Sequence, residues 1–287
     1  RTYYYTYLFF CGVVFFFLIA PLIAIVPISF SVSPFMVFTD GMLAWPPDPE
    51  AWSLRWYKNM IGDCSADVVS STVPCSTKWM KGTVNSFFIG IIATATATAL
   101  GTLAALGLSR PHMPYKGVIM AILISPMIVP LIITAAGMFF FYARINLVYT
   151  FTGVILAHVA LATPFVVITV TATLVGFDMN MVKAAQSLGA KPTRTFFKVI
   201  MPLILPGIIS GALFAFITSF DEVVIVMFMA SLDQLTIPKQ MWAGIRQEIS
   251  PVILCMATCL VVLSIFLLTT VELLRRRSEK LRGITAR

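Results

Sequence analysis

The sequence has 287 residues, of which 59% are hydrophobic and only 11% are charged, and its formal net charge is +8. Soluble domains carry about 25% charged residues, so this composition excludes a water-soluble fold and indicates that lipid covers much of the surface. The basic residues lie at the ends of apolar stretches and are not interleaved with aromatic residues on one polar face. This placement is typical of membrane orientation signals and argues against a nucleic-acid partner.

Six stretches are long and apolar enough to form membrane-spanning helices, which need about 20 residues each. In chain order they are residues 8–31, 82–108, 117–143, 146–177, 203–230 and 251–274. These long continuous runs differ from barrel strands, which have about 10 residues of strictly alternating hydrophobicity. We therefore predict an all-α membrane protein with a single transmembrane domain over residues 1–287.

The first apolar stretch outruns a signal-peptide core and lacks a small-residue cleavage pattern, so we expect it to be retained as a helix. Since Arg1 rather than Met opens the sequence, we expect a few residues to precede it. With the N-terminus inside, thirteen Lys and Arg residues fall in inside segments and seven in outside segments. This bias, with three consecutive arginines (275–277) directly after the last apolar stretch, predicts that both termini are cytoplasmic.

The inside segment 178–202 is the most informative part of the chain. Asp178 is placed to cap a short helix, and Gly189 is typical of the residue that ends one. A second basic, amphipathic stretch follows, so we predict a helix–turn–helix on the cytoplasmic face. The small side chains of Ala184, Ala185 and Gly189 would let another protein approach closely, although an interfacial amphipathic linker remains an alternative.

This segment resembles the cytoplasmic loop of ABC importer permeases, whose pattern is Glu-Ala-Ala, three residues, Gly, nine residues, then Ile-x-Leu-Pro. Ala184, Ala185, Gly189 and Pro202 fall on that spacing, and Lys183 stands where the family usually has Glu. The resemblance implies a type I ABC importer permease fold. It also implies that the segment is a coupling helix, which sits in a groove of the ATPase subunit.

Further stretches resemble the spermidine/putrescine branch of that family: 53–57, 156–158, 164–167, 214–224 and 248–251. The resemblance implies a subunit of an ATP-driven importer in the bacterial inner membrane that moves a small cationic solute, a polyamine, inward. Related permeases share these sequence stretches, so an opine or aminoethylphosphonate remains an alternative solute. The implied partners are a second permease, two ATPase subunits carrying ATP and Mg, and a periplasmic binding protein. A secondary transporter or channel is the rival from another class.

The chain lacks the G-x-x-x-x-G-K-[ST] spacing of a phosphate-binding loop and shows no other cluster with catalytic spacing. We therefore expect it not to be an enzyme and to bind no cofactor itself. Its two histidines, His112 and His158, are too far apart in sequence to indicate a metal site, and we expect His158 to be a hydrogen-bonded group between helices. The alternation of Ala and Thr over residues 93–99 predicts close helix packing.

Asp221 and Glu222 lie inside the fifth apolar stretch, where each charge costs about 2.5–3.5 kcal/mol on insertion scales. Intramembrane acids usually face a polar pathway, and carboxylates beside Phe216 and Phe220 would attract an ammonium group by Coulomb and cation–π terms. We predict that these four residues line the substrate pathway and that only one of the acids faces it. The alternative is that the pair caps a helix break or binds a basic residue of a neighbouring subunit.

Cys64 and Cys75 lie in the first outside loop, within a stretch (63–77) that looks like an insertion relative to the resembled family. The exterior of a bacterial inner membrane is oxidising, so these two cysteines could form a disulfide. Spacing alone does not show that their Cβ atoms meet, and two free thiols remain the alternative.

Overall fold

The computed structural model describes residues 2–63, 65, 77–110, 112–175, 178, 180–247 and 250–281, and within these ranges the regular elements are helices. They are α1 (Thr2–Ser29), α2 (Asp40–Leu43), α3 (Arg55–Met60), α4 (Lys78–Leu108), α5 (Lys116–Ile128), α6 (Leu131–Arg144), α7 (Phe151–Val175), α8 (Asn180–Ser187), α9 (Pro192–Thr195), α10 (Met201–Phe220), α11 (Val224–Met229), α12 (Ile237–Gln247) and α13 (Val252–Leu281). The all-α prediction is confirmed. The chain forms two compact units, residues 1–80 with 240–287 and residues 81–239.

The first unit joins the two ends of the chain, because α1 packs against α13. The segment after α1 folds back onto the end of that helix. There the buried Trp56 donates a hydrogen bond from Nε1 to the Ser31 carbonyl oxygen at 2.8 Å. The Tyr57 hydroxyl lies 2.7 Å from Ser29 Oγ. These contacts fix α3 beside the end of α1, where the apolar helix meets a polar loop.

The second unit is built on α7, which packs along α10 and against α4. Its core uses the smallest apolar side chains, with Ala93, Ala97 and Ala215 fully buried beside Val166. Lipid is as apolar as a leucine side chain, so membrane helices gain stability from close packing of small residues. The close packing predicted for residues 93–99 holds for Ala93 and Ala97, whereas Ala95 and Ala99 are exposed.

Small residues on α10 face α7 at every fourth position. They are Gly207, Gly211, Ala215 and Ser219, and all four are buried. A Cβ atom added at Gly211 would lie 3.0 Å from the Cα atom of Val166 on α7. This approach is closer than real Cβ atoms normally tolerate, so the helix pair requires glycine there. The Gly-x-x-x-Gly spacing at 207–211 is the sequence signal of this close helix contact.

Within the described residues, five helices are long and apolar enough to span a membrane: Tyr3–Ser29, Lys78–Leu108, Phe151–Val175, Pro192–Phe220 and Val252–Thr270. A sixth span arises only if α5 and α6 are counted together, and these two helices meet at a bend of 103°. The structure therefore divides the predicted span over 117–143 into two helices that meet at this bend. Pro130 lacks an amide proton and holds Val129 in the extended region, with ψ at 136°, which ends α5.

The predicted fifth span, 203–230, is also interrupted. Its helix α10 ends at Phe220, and the chain resumes helical structure only in the short α11. The break falls at the two acidic residues. Where the helix ends, backbone amides lose their partners within the helix, and a carboxylate can accept hydrogen bonds from them. Among the described residues, the six predicted stretches thus correspond to five long helices and one bent pair, and the long helix of the fifth stretch ends at Phe220.

Candidate functional site

The coupling segment, residues 178–202, begins as the sequence predicts. Asp178 Oδ1 accepts a hydrogen bond from the Asn180 amide at 2.9 Å, which caps the start of α8. Gly189 has φ of +82°, and its amide bonds to the Gln186 carbonyl while the Ala190 amide bonds to the Ala185 carbonyl. These two bonds form a Schellman motif, whose left-handed residue is usually glycine. The predicted cap and stop are both confirmed.

The second half of the segment is continuous with α10. After α9, a single π-helical turn (Phe196–Ile200) leads into α10, and the Met201 amide bonds to the Phe196 carbonyl five residues back. Pro202 accounts for the wider turn, because its ring would clash with the carbonyl four residues before it and it has no amide proton to donate. The stretch Pro192–Phe220 consequently forms one long apolar element.

The coupling segment presents an exposed surface of mixed character. Leu188 is 88% exposed at the end of α8, and Met181 and Phe197 are also exposed. Lys183 and Ala184 are exposed beside them, whereas Ala185 is partly buried. Exposed apolar side chains beside basic ones fit both a protein-binding surface and the interfacial amphipathic linker that is the alternative.

The acid pair occupies the break between α10 and α11. Asp221 ends α10, donating its amide to the Ile217 carbonyl at 3.0 Å, and its side chain is exposed. Glu222 is only 7% exposed, and its Oε1 accepts the Ile225 amide at 2.8 Å in the first turn of α11. Glu222 thus has the capping role that was the alternative to a pathway role. The pathway role of the pair stays a prediction, for which Asp221 is the accessible carboxylate.

The two predicted aromatic residues lie directly before the acids. The Phe216 and Phe220 rings are stacked with centroids 5.3 Å apart, and the Phe87 ring of α4 meets Phe220 edge-on at 5.2 Å. Gly90 makes this contact possible, since a Cβ atom there would lie 3.3 Å from the Phe216 ring. The structure therefore brings Phe216, Phe220 and Asp221 together at one end of α10.

Lys239 has a role in the structure that the sequence did not predict. Its Nζ donates hydrogen bonds to the carbonyl oxygens of Ala230 at 2.9 Å and Val226 at 3.3 Å, at the C-terminal end of α11. Burial lowers the pKa of this lysine. A cation at the C-terminal end and Glu222 at the N-terminal end both complement the dipole of α11. No sequence signal marks Lys239, because it follows the last residue of α11, Met229, by ten residues.

The loop after α11 is fastened to the start of α4. Asn85 Nδ2 donates to the carbonyl oxygens of Asp233 at 2.7 Å and Leu235 at 2.9 Å, and the Ile237 amide donates to Ser86 Oγ at 2.8 Å. Nearer the start of α4, Lys81 Nζ lies 2.8 Å from Asp233 Oδ1. These bonds connect α11 to α4 through backbone atoms as well as side chains.

The Lys81–Asp233 pair is expected to hold this loop in a pH-dependent way. The hydrogen bond and charge of Lys81 lower the pKa of Asp233 from its ordinary value of 3.8. Because the pKa of Asp233 is lowered, the ion pair stabilises the loop fully at pH values above the ordinary pKa of an aspartate. This stabilisation is lost as the pH falls through the lowered pKa of Asp233. The protection factors of residues 231–237, which are exchange rates corrected for the intrinsic effect of pH, should therefore fall on acidification in the wild type. In Asp233→Asn they should already be lower at neutral pH, and equal protection in both proteins would contradict this role.

Among the remaining polar candidates, His158 is held between α7 and α10. Its Nδ1 lies 2.8 Å from Ser219 Oγ, and the side chain is buried. The expected hydrogen bond between helices is confirmed. In the described ranges, no group of three His, Cys, Asp or Glu side chains could hold a metal ion. Cys64 and Cys75, the predicted disulfide, lie outside the described residues.

Residues 97–280 match the protein family described as binding-protein-dependent transport system inner membrane component. The chain is 27% identical over 94% of its length to the spermidine/putrescine transport system permease protein PotC of Haemophilus influenzae, covering 96% of that protein. It is 29% identical over 84% of its length to the putrescine transport system permease protein PotI of Escherichia coli K12, covering 80% of it. The trehalose transport system permease protein SugB of Mycobacterium tuberculosis is 28% identical over 71% of this chain and 68% of its own.

Two solved structures share the fold. A chain of a bacterial ABC transporter involved in the import of the acidic polysaccharide alginate superposes with a TM-score of 0.68 at 15% identity, covering 96% of both chains. A chain of the MetNI methionine ABC transporter superposes with a TM-score of 0.51 at 20% identity, covering 72% of this chain and 96% of the other. The predicted permease fold is confirmed, and the family match spans more than half of the sequence. The chain therefore belongs to the family of binding-protein-dependent transport system inner membrane components and is the transmembrane permease subunit of an ABC importer.

Proposed function

We propose that this permease moves a small polycation, a polyamine such as putrescine or spermidine, into the cytoplasm. The observation that carries the substrate class is the exposed Asp221, which directly follows the stacked Phe216 and Phe220 at the end of α10. A carboxylate attracts an ammonium group, and aromatic faces add about 0.5–2 kcal/mol of cation–π attraction. The methylene chain of a polyamine would pack on the same rings. The polyamine permeases among the relatives support this assignment.

The proposed partners follow from the surfaces of the second unit. Two exposed residues, Met181 in the first turn of α8 and Leu188 just after its last residue, would bind in a groove of an ATPase subunit. Lys183 would lie at the edge of that groove. Two such ATPases carry ATP and Mg, and a second permease completes the pathway. A periplasmic binding protein delivers the solute. On this proposal residues 1–287 act as one permease domain with both termini in the cytoplasm.

The coupling segment and the acid would communicate through one element. From Pro192 to Phe220 the chain is a long apolar element with a π-helical turn near its start. At 1.5 Å per residue its 29 residues reach about 40 Å, enough to cross a bilayer. A movement of the Gly189 turn would be passed along this element to Asp221. Nucleotide drives such a switch only by binding more tightly to one of the two states.

The test is ATPase activity of the purified importer in lipid nanodiscs, with the binding protein present and putrescine or spermidine titrated. We expect stimulation by a polyamine. Leu188→Glu should lose the ATPase subunits during purification, because it places a charge on the apolar docking surface. The matched control is Leu232→Glu, since Leu232 is 81% exposed in the loop after α11 and should leave the complex assembled.

The other outcomes are equally informative. Stimulation by an opine or aminoethylphosphonate, but not by polyamines, would keep the importer and change its substrate. An ATPase that stays bound to Leu188→Glu would remove the proposed docking surface. A chain that transports solute with no associated ATPase would contradict the importer mechanism and favour a secondary transporter or channel.

A further inference from the structure

His158 and Ser219 join α7 to α10 close to the acid and aromatic residues of the proposed pathway. The His158 side chain is 1% exposed, and its Nδ1 lies 2.8 Å from Oγ of Ser219, which is also buried. Ser219 lies in the last turn of α10, two residues before Asp221. The bond therefore acts at the end of α10 that is followed by Asp221.

The rest of the contact between these two helices gives little control over the rotation of α10. The small residues of α10 meet α7 through apolar surfaces, and contacts between apolar surfaces are not directional. Thr169 and Thr173 of α7 lie at the same contact, but their hydroxyls donate to carbonyl oxygens of α7 itself. A hydrogen bond is directional, so the bond between His158 and Ser219 is suited to fix the rotation of α10.

The geometry of an α-helix converts this bond into a direction for the acid. Successive residues point about 100° apart, so Asp221 points about 200° away from Ser219. Holding Ser219 against α7 therefore turns Asp221 away from α7, and its side chain is exposed there. The Asp221 amide still bonds to the Ile217 carbonyl, which keeps Asp221 in register with the last turn of α10.

The second ring nitrogen of His158 indicates that the histidine is not there for packing alone. Its Nε2 is buried and, within the described residues, has no hydrogen-bond partner. An unpaired polar atom in a buried position destabilises a protein, and an apolar side chain of similar size would avoid that cost. The directed bond from Nδ1 to Ser219 is the interaction that offsets it.

We propose that His158 is a positioning residue of the substrate site: through Ser219 it holds the last turn of α10 so that Asp221 faces the pathway. This inference rests on the proposed role of Asp221 in binding a polyamine. His158 itself does not contact the solute, because its ring is buried between the two helices.

The test compares variants of the complete importer in proteoliposomes, with the binding protein present. Ser219→Ala and His158→Leu each remove the bond, so the protection factor of the Asp221 amide should fall about three- to tenfold, the scale of one hydrogen bond. The number of putrescine molecules imported per ATP hydrolysed should fall on the same scale, because the carboxylate is misdirected while hydrolysis continues. The double variant should be no worse than either single variant, since both remove the same bond.

His158→Asn is the rescue variant, because its amide reaches the position of Nδ1 and can either donate or accept a hydrogen bond. His158→Gln instead places its amide near the position of Nε2 and should behave as His158→Leu does. Thr171→Val is the matched control. The Thr171 side chain is buried in the same helix, and its hydroxyl has no partner among the described residues. This control should keep the protection factor and the import ratio of the wild type.

Three outcomes would contradict the positioning role. Equal recovery by the asparagine and glutamine variants would show that the position of Nδ1 does not matter. Additive losses in the double variant would show that His158 and Ser219 act separately. A fall in uptake and ATP hydrolysis together, at an unchanged ratio, would show only a loss of intact complex. A wild-type importer that moves another amine and no polyamine would instead contradict the proposed function, and the same variants, assayed with that amine, would then decide the positioning role.

Discussion

Replacing Asp221 by asparagine is expected to reduce polyamine uptake by about tenfold or more, the scale of one lost charge-assisted hydrogen bond. The side chain is exposed at the end of α10 and makes no described side-chain hydrogen bond, so removing its charge should leave the fold intact. The measurement is uptake of labelled putrescine into proteoliposomes containing the complete importer. Asp40→Asn is the matched control, because Asp40 is an exposed aspartate of the first unit and should transport normally.

Glu222 is expected to behave differently from its neighbour, because its carboxylate is buried and accepts the Ile225 amide. Glu222→Ala removes this acceptor and should lower the free energy of unfolding by about 0.5–2 kcal/mol, as for other lost helix caps. Glu222→Gln keeps an oxygen acceptor and should recover most of that stability. Neutralising both acids, as Asp221→Asn with Glu222→Gln, should abolish uptake while the complex still assembles. Unchanged uptake in the double variant would remove the acids from the pathway.

Gly211→Leu is expected to have the largest effect on folding. A Cβ atom at this position would lie 3.0 Å from Val166 Cα and 2.5 Å from Thr169 Oγ1, so a leucine must push α7 and α10 apart. Overpacking of a tight core costs about 1–3 kcal/mol or more. Val166 Cα belongs to the backbone of α7 and cannot rotate away as a side chain would, which leaves little room for relaxation. We expect a much lower thermal unfolding temperature in detergent and a loss of assembled importer.

Gly137→Leu is the matched control for this experiment. Gly137 also lies in an apolar helix of the second unit, but nothing lies within 4 Å of the Cβ atom that a substitution would add. The leucine should be tolerated, since it also has a better helix propensity than glycine. If the two leucine variants unfolded at the same temperature, close packing of α7 on α10 would not be what Gly211 supplies.

The sequence by itself determined the features that depend on local composition or on a few neighbouring residues. Hydropathy summed over about 20 residues identifies a membrane span regardless of which other helices that span packs against. The ends of α8 follow from Asp178 and Gly189, because a cap and a left-handed stop are local geometries. The spacing of Ala184, Ala185, Gly189 and Pro202 is likewise a local pattern, so the resemblance behind the proposed coupling role needs no knowledge of the fold.

The tertiary structure alone decided where the spans break and which side chains are buried. Pro21, Pro27 and Pro164 lie within continuous helices, whereas the chain bends by 103° at Pro130. Proline in a membrane helix is tolerated when neighbouring groups satisfy the freed backbone, and hydropathy does not contain that information. Which acid is buried, and which lysine caps α11, depends in the same way on residues that are distant in sequence and meet only in the folded chain.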